Sequence, residues 1–550
     1  MFFDHLGRKD ALVRYLHLPS RIVWKDPGSG TITTPEALLV DGPSGCTLSP
    51  GSGTGPAVLI DFGQELNGGI CLDVIATEPA PHAKVRIRFG ESASEAMGQP
   101  DRDHAIHDYI LDLPCVSRQE IGTTGFRFVR LDLLDNDSRV SIRQIKAVAV
   151  ERELDYKGSF ESSDPLLNKI WMVGARTVHL CCQEYLLDGI KRDRMVWMGD
   201  AHMEIQVIAQ VFGDIDIVPA TLGFIRDNTP PGHWMNGLSS YSFWWILNVW
   251  EWYGFTGNLN FLKSQVPFLK SHIEHIIARI DSDGRPDLGE PWFLEWSLAK
   301  DKTATREAVT VLCFWALTTA EKIFHFLGDL AMSNTCQDAC RRLMKSITFH
   351  STCKQIHALR ILTGMAEAGA VNEAFLTQDP YHGFSPWFAY YILKARALAG
   401  DHHRCLDIIR TYWGGMLKLG ATSFWEHFDL DWLKDVARID ELTPPGKHDV
   451  HAEYGDHCYK GLRHSLCHGW GGAPTAWLSQ EVLGVLPLSP GFKTVRIEPH
   501  LGDLTFAQGA VPTPLGIISV IHTRDADGQT KTKYAVPDGV CVVNNEHINK

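Results

Sequence analysis

The sequence is poor in positive charge: 52 lysines and arginines face 65 aspartates and glutamates, for a formal net charge of −13. A chain of that balance is not built to neutralise phosphates, which argues against a nucleic-acid partner. It also lacks a run of about 18 apolar residues, the length a membrane helix needs. The richest stretch, residues 241–255, is broken by Ser242, Asn248 and Glu251. The 13 cysteines are odd in number and form no CxxC pairs, which fits neither a disulfide framework nor a zinc ribbon. They read as mostly buried thiols in a reducing compartment. Asp4, His5, Arg8, Lys9 and Asp10 interrupt the region where a signal peptide would be apolar, so a soluble, cytoplasmic chain is expected. No GxGxxG, P-loop, GxSxG or HExxH element points to nucleotide, serine-hydrolase or zinc-protease chemistry.

What is present is enough chain for several domains: 550 residues, 44% of them hydrophobic, can bury more than one core. Up to about Glu153 short alternating runs lie between turn residues. In KVRIRFG, Val85, Ile87 and Phe89 fall on one face and Lys84, Arg86 and Arg88 on the other, the period of a half-buried strand. From Ser162 the period becomes helical, with Asp164 at an N-cap position, Pro165 in the first turn, and Leu166, Ile170 and Val173 at helical spacing. Helical segments continue to about Leu483, too many for a four-helix bundle, and suggest a toroid of helical hairpins. After Pro487, β-branched runs such as TVRIEPH and GIISVIHT return. The expected plan is a β-sandwich over 1–157, a helical barrel over 158–484 and a second β-sandwich over 485–550. Early strands such as RIVW from Arg21 are candidates to join that last domain.

Three polar clusters stand out. In DGIKRDRMVWMGD (residues 188–200), helix formation from Asp193 onward would put Asp193, Trp197 and Asp200 on one stripe. Two carboxylates and an indole there, behind Asp188, Lys191, Arg192 and Arg194, describe the wall of a polar pocket for a hydroxyl-rich ligand. The competing structural account makes Asp188 a helix cap, Arg192 and Arg194 partners of the carboxylates, and Trp197 core. Gly199 inside the stripe costs about 1 kcal/mol relative to alanine, which weakens that account. In TSFWEHFDLDW, Glu426 is an acid set among Trp425, His427 and Phe428. In HSLCHGWGGAPTAW, Gly469, Gly471 and Gly472 allow close backbone approach beside His468 and Trp470. His464 and His468 have a metal-ligand spacing but no third ligand with them, so no zinc site is expected. Among the 17 tryptophans, Trp234, Trp244, Trp245, Trp250, Trp252, Trp292 and Trp296 read as lying in or near interhelical loops. Aromatic faces stack on the C–H faces of sugars, so carboxylates and indoles together suggest a carbohydrate site.

These motifs resemble the inverting α-L-rhamnosidases of glycoside hydrolase family 78. DGIKRDRMVWMGD is similar to that family's DCPQRERLGWTGD, with Asp188, Arg192, Arg194, Trp197, Gly199 and Asp200 in register. WEHFD is similar to its WERWD, through Trp425, Glu426 and Asp429, and PGFKTVRIEPHLGDLTFAQG from Pro490 is similar to its C-terminal signature. The resemblance implies an (α/α)6 barrel between β-sandwich domains and a hydrolase that removes α-L-rhamnose with inversion. It further implies that Asp193 is the acid that protonates the glycosidic oxygen and that Glu426 activates water. Asp188, Arg192, Trp197 and Asp200, with Trp425 and His468, would bind the sugar, and no metal or cofactor is required. Two departures stand out: aspartate at 193, where the family has glutamate, and Gly189-Ile190 in place of Cys-Pro. The shorter acid sits on the order of 1.5 Å back, and a misplacement of about 1 Å can cost 100-fold in rate. Two other readings remain open at this level. One is a lyase whose Lys191, Arg192 and Arg194 neutralise a uronate; the other is a carbohydrate-binding protein without turnover. Pairing of Arg192 with Asp188, leaving Asp193 protonated, is a further expectation.

Overall fold

The computed structural model describes residues 11–99, 107–454 and 461–543. The acidic and basic residues at positions 4–10 that argue against a signal peptide lie outside them. Alternating runs form the first domain, nine strands in one antiparallel sheet. Its spine is the 22-residue strand Ala57–Glu78, which pairs with Ser117–Leu133 along most of its length and with Arg139–Arg152 over its second half. Register shifts at Asp61/Leu66 and Gly68/Ile70 bend the spine, so one core, with Val58, Ile60, Leu72, Val85 and Ile145, serves the whole sheet. Arg21–Asp26, the strand expected to join the C-terminal domain, pairs instead with the spine. The strand that does cross over is Ser159–Ser162, which pairs with Phe506–Thr513 as an edge of the four-stranded C-terminal sheet. Arg88, expected on the outer face, is buried and held by Asp132 and two carbonyl oxygens, because a buried guanidinium needs its donors satisfied.

Between the sheets, Asp164 caps the helix Pro165–Cys181 by accepting from the N–H groups of Leu166 and Leu167. Six inner helices then close a ring: Met198–Val211, Ser239–Thr256, Lys302–Phe326, Lys354–Leu362, Pro386–Leu398 and Ala473–Trp477, each packed on the next and the last on the first. The others pack outside. The tryptophans assigned to loops divide. Trp244, Trp245, Trp250 and Trp252 lie within Ser239–Thr256, which is apolar on nearly every face because it stands in the barrel wall with neighbours all round. Trp292 and Trp296 are in the connection before Lys302–Phe326. Among the described residues no helix is long and apolar enough to cross a membrane. Eight of the twelve described cysteines are buried.

Candidate active site

Residues 188–197 form a loop, not the helix expected from the spacing of Asp193, Trp197 and Asp200; the helix starts only at Met198. Two features hold the loop. The carboxylate of Asp188 accepts from the N–H groups of Asp193 and Met195, both at 2.9 Å, so it closes the loop rather than capping a helix. Asn236, from a distant connection, accepts from the Met198 N–H at 3.1 Å and donates to the Val196 carbonyl at 2.8 Å, supplying the cap that Trp197 lacks. Arg194, at φ 61° in the left-handed region, reaches Asn67 of the first domain at 2.7 Å.

Arg192 organises the acids. Its Nη1 donates to Asp193 at 3.3 Å, its Nη2 to Glu426 Oε2, and its Nε to the Arg463 carbonyl. The expected pairing with Asp188 is not formed, because the Asp188 oxygens are taken by the loop N–H groups. Glu426 is oriented further by the indole N–H of Trp296, at 3.1 Å, and the N–H of Ser465, at 3.4 Å. Beside this pair, His468 Nε2 lies 3.0 Å from Asp200, and the Tyr241 hydroxyl donates to Asp200 at 3.2 Å.

These groups face a cavity of about 300 Å³ whose walls include Asp188, Arg192, Asp193, Trp197, Asp200, Glu426 and His468. Indoles and rings of Trp292, Phe293, Trp296 and Trp470 supply the apolar faces. Of the candidate residues, only Trp425 is elsewhere: it is buried and packs edge-on against Phe428 in the core beneath Glu426. Tyr241 and Phe293 are contributors that sequence reasoning did not name as site residues, and Trp296, read only as one of several loop indoles, is the one that donates to Glu426. Tyr241 opens an aromatic run that reads as core, and only the fold turns its hydroxyl onto Asp200. His464 does not join His468. Its Nε2 accepts from the His427 N–H at 3.1 Å, on the side away from the cavity.

The site is electrostatically uneven. Burial, helped by the charge of Asp200, pushes Asp188 up to about 7, and burial also raises Asp200. Burial opposes a charge on His468, but the carboxylates of Glu426, Asp188 and Asp200 outweigh it and raise its pKa. Asp188, Asp200 and His468 lie close enough to share a small cation. Within this cluster His468 Nε2 meets Asp200, while His468 Nδ1 is buried without a partner. Asp193 is the accessible acid, with 24% of its side chain exposed, against 2% for Glu426. Gly199 and Gly469 are close-approach positions: a Cβ on the first would meet Tyr241 at 2.9 Å, and one on the second would meet the Glu204 carboxyl at 1.6 Å.

Comparison with known proteins finds two matching family domains. Residues 155–355 match the bacterial alpha-L-rhamnosidase six-hairpin glycosidase domain, and residues 484–543 match the bacterial alpha-L-rhamnosidase C-terminal domain. Asp188 to Asp200 fall within the first match; Glu426 and His468 lie between the two. An alpha-L-rhamnosidase of Alteromonas sp. (strain LOR) is 26% identical over 526 residues, covering 86% of this chain and 54% of the relative. The chain thus spans about half the length of that relative. Among solved structures, a GH78 family rhamnosidase of Bacillus sp. GL1 is similar with a TM-score of 0.77 at 24% identity, over 93% of this chain and 55% of the other. A rhamnosidase from Klebsiella oxytoca, with rhamnose bound, is similar with a TM-score of 0.70 at 19% identity, over 86% of this chain and 96% of the other. With a closed ring of helices between two β-regions, and with both domain matches in chain order, the chain is similar to the bacterial α-L-rhamnosidases over residues 155–355 and 484–543.

Proposed function

We propose that the chain is a glycoside hydrolase that removes a terminal α-L-rhamnose, or a closely related sugar, with inversion of configuration. The observation that carries this reading is the bridge of Arg192 between Asp193 and Glu426 at the wall of an indole-lined cavity. Inversion needs an acid on the leaving-group side and a base across the ring with room for a water. Asp193 suits the acid, because its partial exposure lets the leaving group depart and a proton return from solvent. Glu426, buried and aimed by Arg192, Trp296 and Ser465, suits the base that takes a proton from the attacking water. Asp188, Asp200 and His468 offer charged donors and acceptors to the sugar hydroxyls, and Trp197 an aromatic edge. Relatives described as α-L-rhamnosidases, one with rhamnose bound, support the choice of sugar.

The lyase reading loses its cations in this geometry. Lys191 is buried against Glu91 and Glu95, Arg194 is turned to Asn67, and Arg192 is engaged by two carboxylates. The test is incubation with p-nitrophenyl α-L-rhamnoside and a panel of related glycosides, with early products followed by NMR. Release of the inverted anomer of rhamnose is expected. An unsaturated product, a retained anomer, or binding without turnover across the panel would each overturn the proposal.

A further inference from the structure

The other mouth of the barrel holds a second cavity, of about 500 Å³, between the C-terminal halves of the inner helices and residues 485–492. One helix serves both cavities. In Met198–Val211, Asp200 faces the catalytic cavity, while Gln206, Ala209 and Gln210 face the second. Ten residues at 1.5 Å each set Asp200 and Gln210 about 15 Å apart.

The polar wall of this cavity is a directed chain. Tyr390 donates to Gln480 at 2.8 Å, Gln480 to Gln206 at 3.1 Å, and Gln206 to Glu251. From the other side, the Tyr391 hydroxyl lies 2.7 Å from His202 Nδ1, and His202 Nε2 lies 3.3 Å from Glu251. Both branches converge on one carboxylate, which is 32% exposed. Among the described residues no lysine or arginine pairs with Glu251. Lys394, the other charged wall residue, is committed to Glu481. Gln210 adds a buried carbonyl oxygen without a partner, at a residue 5% exposed. Facing these acceptors are the half-buried indoles of Trp250 and Trp315.

We propose that this cavity is a second carbohydrate-binding site, taking one neutral sugar unit. The part-exposed Glu251 carboxylate and the unpartnered Gln210 oxygen select a ligand rich in hydroxyl donors, and the indoles match the C–H face of a pyranose. The negative ends of the inner helix dipoles point into the cavity and disfavour an anion. The inference stands independently of which sugar the catalytic cavity takes.

The test is calorimetric titration of the full chain with L-rhamnose, L-fucose, D-galactose and D-glucose, and separately with tetramethylammonium. At least one sugar should lose one binding event per chain, or bind at least tenfold more weakly there, in both Trp250→Ala and Glu251→Gln. Hydrolysis of p-nitrophenyl α-L-rhamnoside should stay within about twofold of wild type. The second variant keeps the test valid if the first fails to fold. Sugar binding unchanged by both variants, or absent for all four sugars, overturns the proposal. So does tetramethylammonium binding that both variants abolish while no sugar binds. Because the readout is binding, a chain inactive on rhamnosides would still reveal whether this cavity takes a sugar.

Discussion

Lys191 and Arg192 are consecutive in the chain and opposite in use. Lys191 points away from the cavity of Asp193 and Glu426, and its ammonium is held by Glu91 at 3.2 Å, Glu95 at 3.1 Å and the carbonyls of Leu462 and His464 at 2.7 and 3.0 Å. Around it, Ser92 meets His451 Nδ1 at 2.6 Å and Glu91 accepts from the Leu466 N–H at 2.7 Å. This cluster ties the first domain to the loop that carries Asp193 and to residues 451–466, and its ionic groups are almost wholly removed from water. Arg192 turns to the cavity and holds two carboxylates at its wall. The difference teaches how to tell two kinds of buried charge apart. The first cluster faces only protein and acts on assembly. The second keeps an open side, and that open side is where a substrate can enter the hydrogen-bond pattern.

The largest effect that would test this division is on stability. Lys191→Met leaves Glu91 and Glu95 buried without their cation, and loss of one partner of a buried ion pair costs about 3–5 kcal/mol. Chemical denaturation should show a destabilisation of that size; a loss of activity at unchanged stability would move Lys191 to the catalytic side.

Next in size, Glu426→Gln should lower turnover by at least 100-fold, because the amide keeps the shape but cannot take a proton from water. Its thermal midpoint should stay close to wild type, checked by calorimetry. Near-normal turnover of the folded variant would remove Glu426 from the chemistry.

Asp193→Asn should be smaller and selective. Substrates with a sugar leaving group should lose about 100-fold, and p-nitrophenyl glycosides less, since nitrophenolate departs with little protonation. Equal losses on both would reassign the acid, with Asp188 or Asp200 next. Asp193→Glu sharpens the point: a rise in rate means that the native acid falls short, and a fall means that the cavity is packed around aspartate.

The smallest effect concerns Glu204, buried beneath the site with both oxygens unpartnered, whose pKa burial raises well above its usual value. A carboxyl raised on folding binds more protons in the native state, so its contribution to stability declines as pH climbs above the unfolded value near 4.5. Glutamine does not titrate. Glu204→Gln should therefore be more stable than wild type by on the order of 1 kcal/mol at pH 8, with the gain shrinking toward pH 5. Denaturation midpoints at the two pH values would check this, and a gain that grows on acidification would contradict it.

Where sequence reasoning failed at the site, the reason is local. A spacing of 4 and 3 residues from Asp193 to Asp200 is helical in period, but two turns cannot distinguish a helix from a loop. What decided it were the hydrogen bonds that Asp188 and Asn236 accept from N–H groups of the loop and helix start. The same limit explains Trp425, whose neighbour Glu426 lines the cavity while its own ring goes to the core. Adjacent residues diverge there, and no periodicity shows which of them faces inward.

From the sequence alone follow the order β, helical, β, the Asp164 cap, the long amphipathic helices, and the acids, arginine and indoles of the site, because these depend on local periodicity, capping chemistry and motif spacing. Only the tertiary structure joined Glu426 to Arg192 across 234 positions, turned Tyr241 and Trp296 onto the acids, sent Lys191 and Arg192 in opposite directions, and left a second cavity at the far mouth of the barrel. Those outcomes depend on which elements close the ring and on where buried charges find partners. That is a property of packing in three dimensions, which spacing along a chain does not encode.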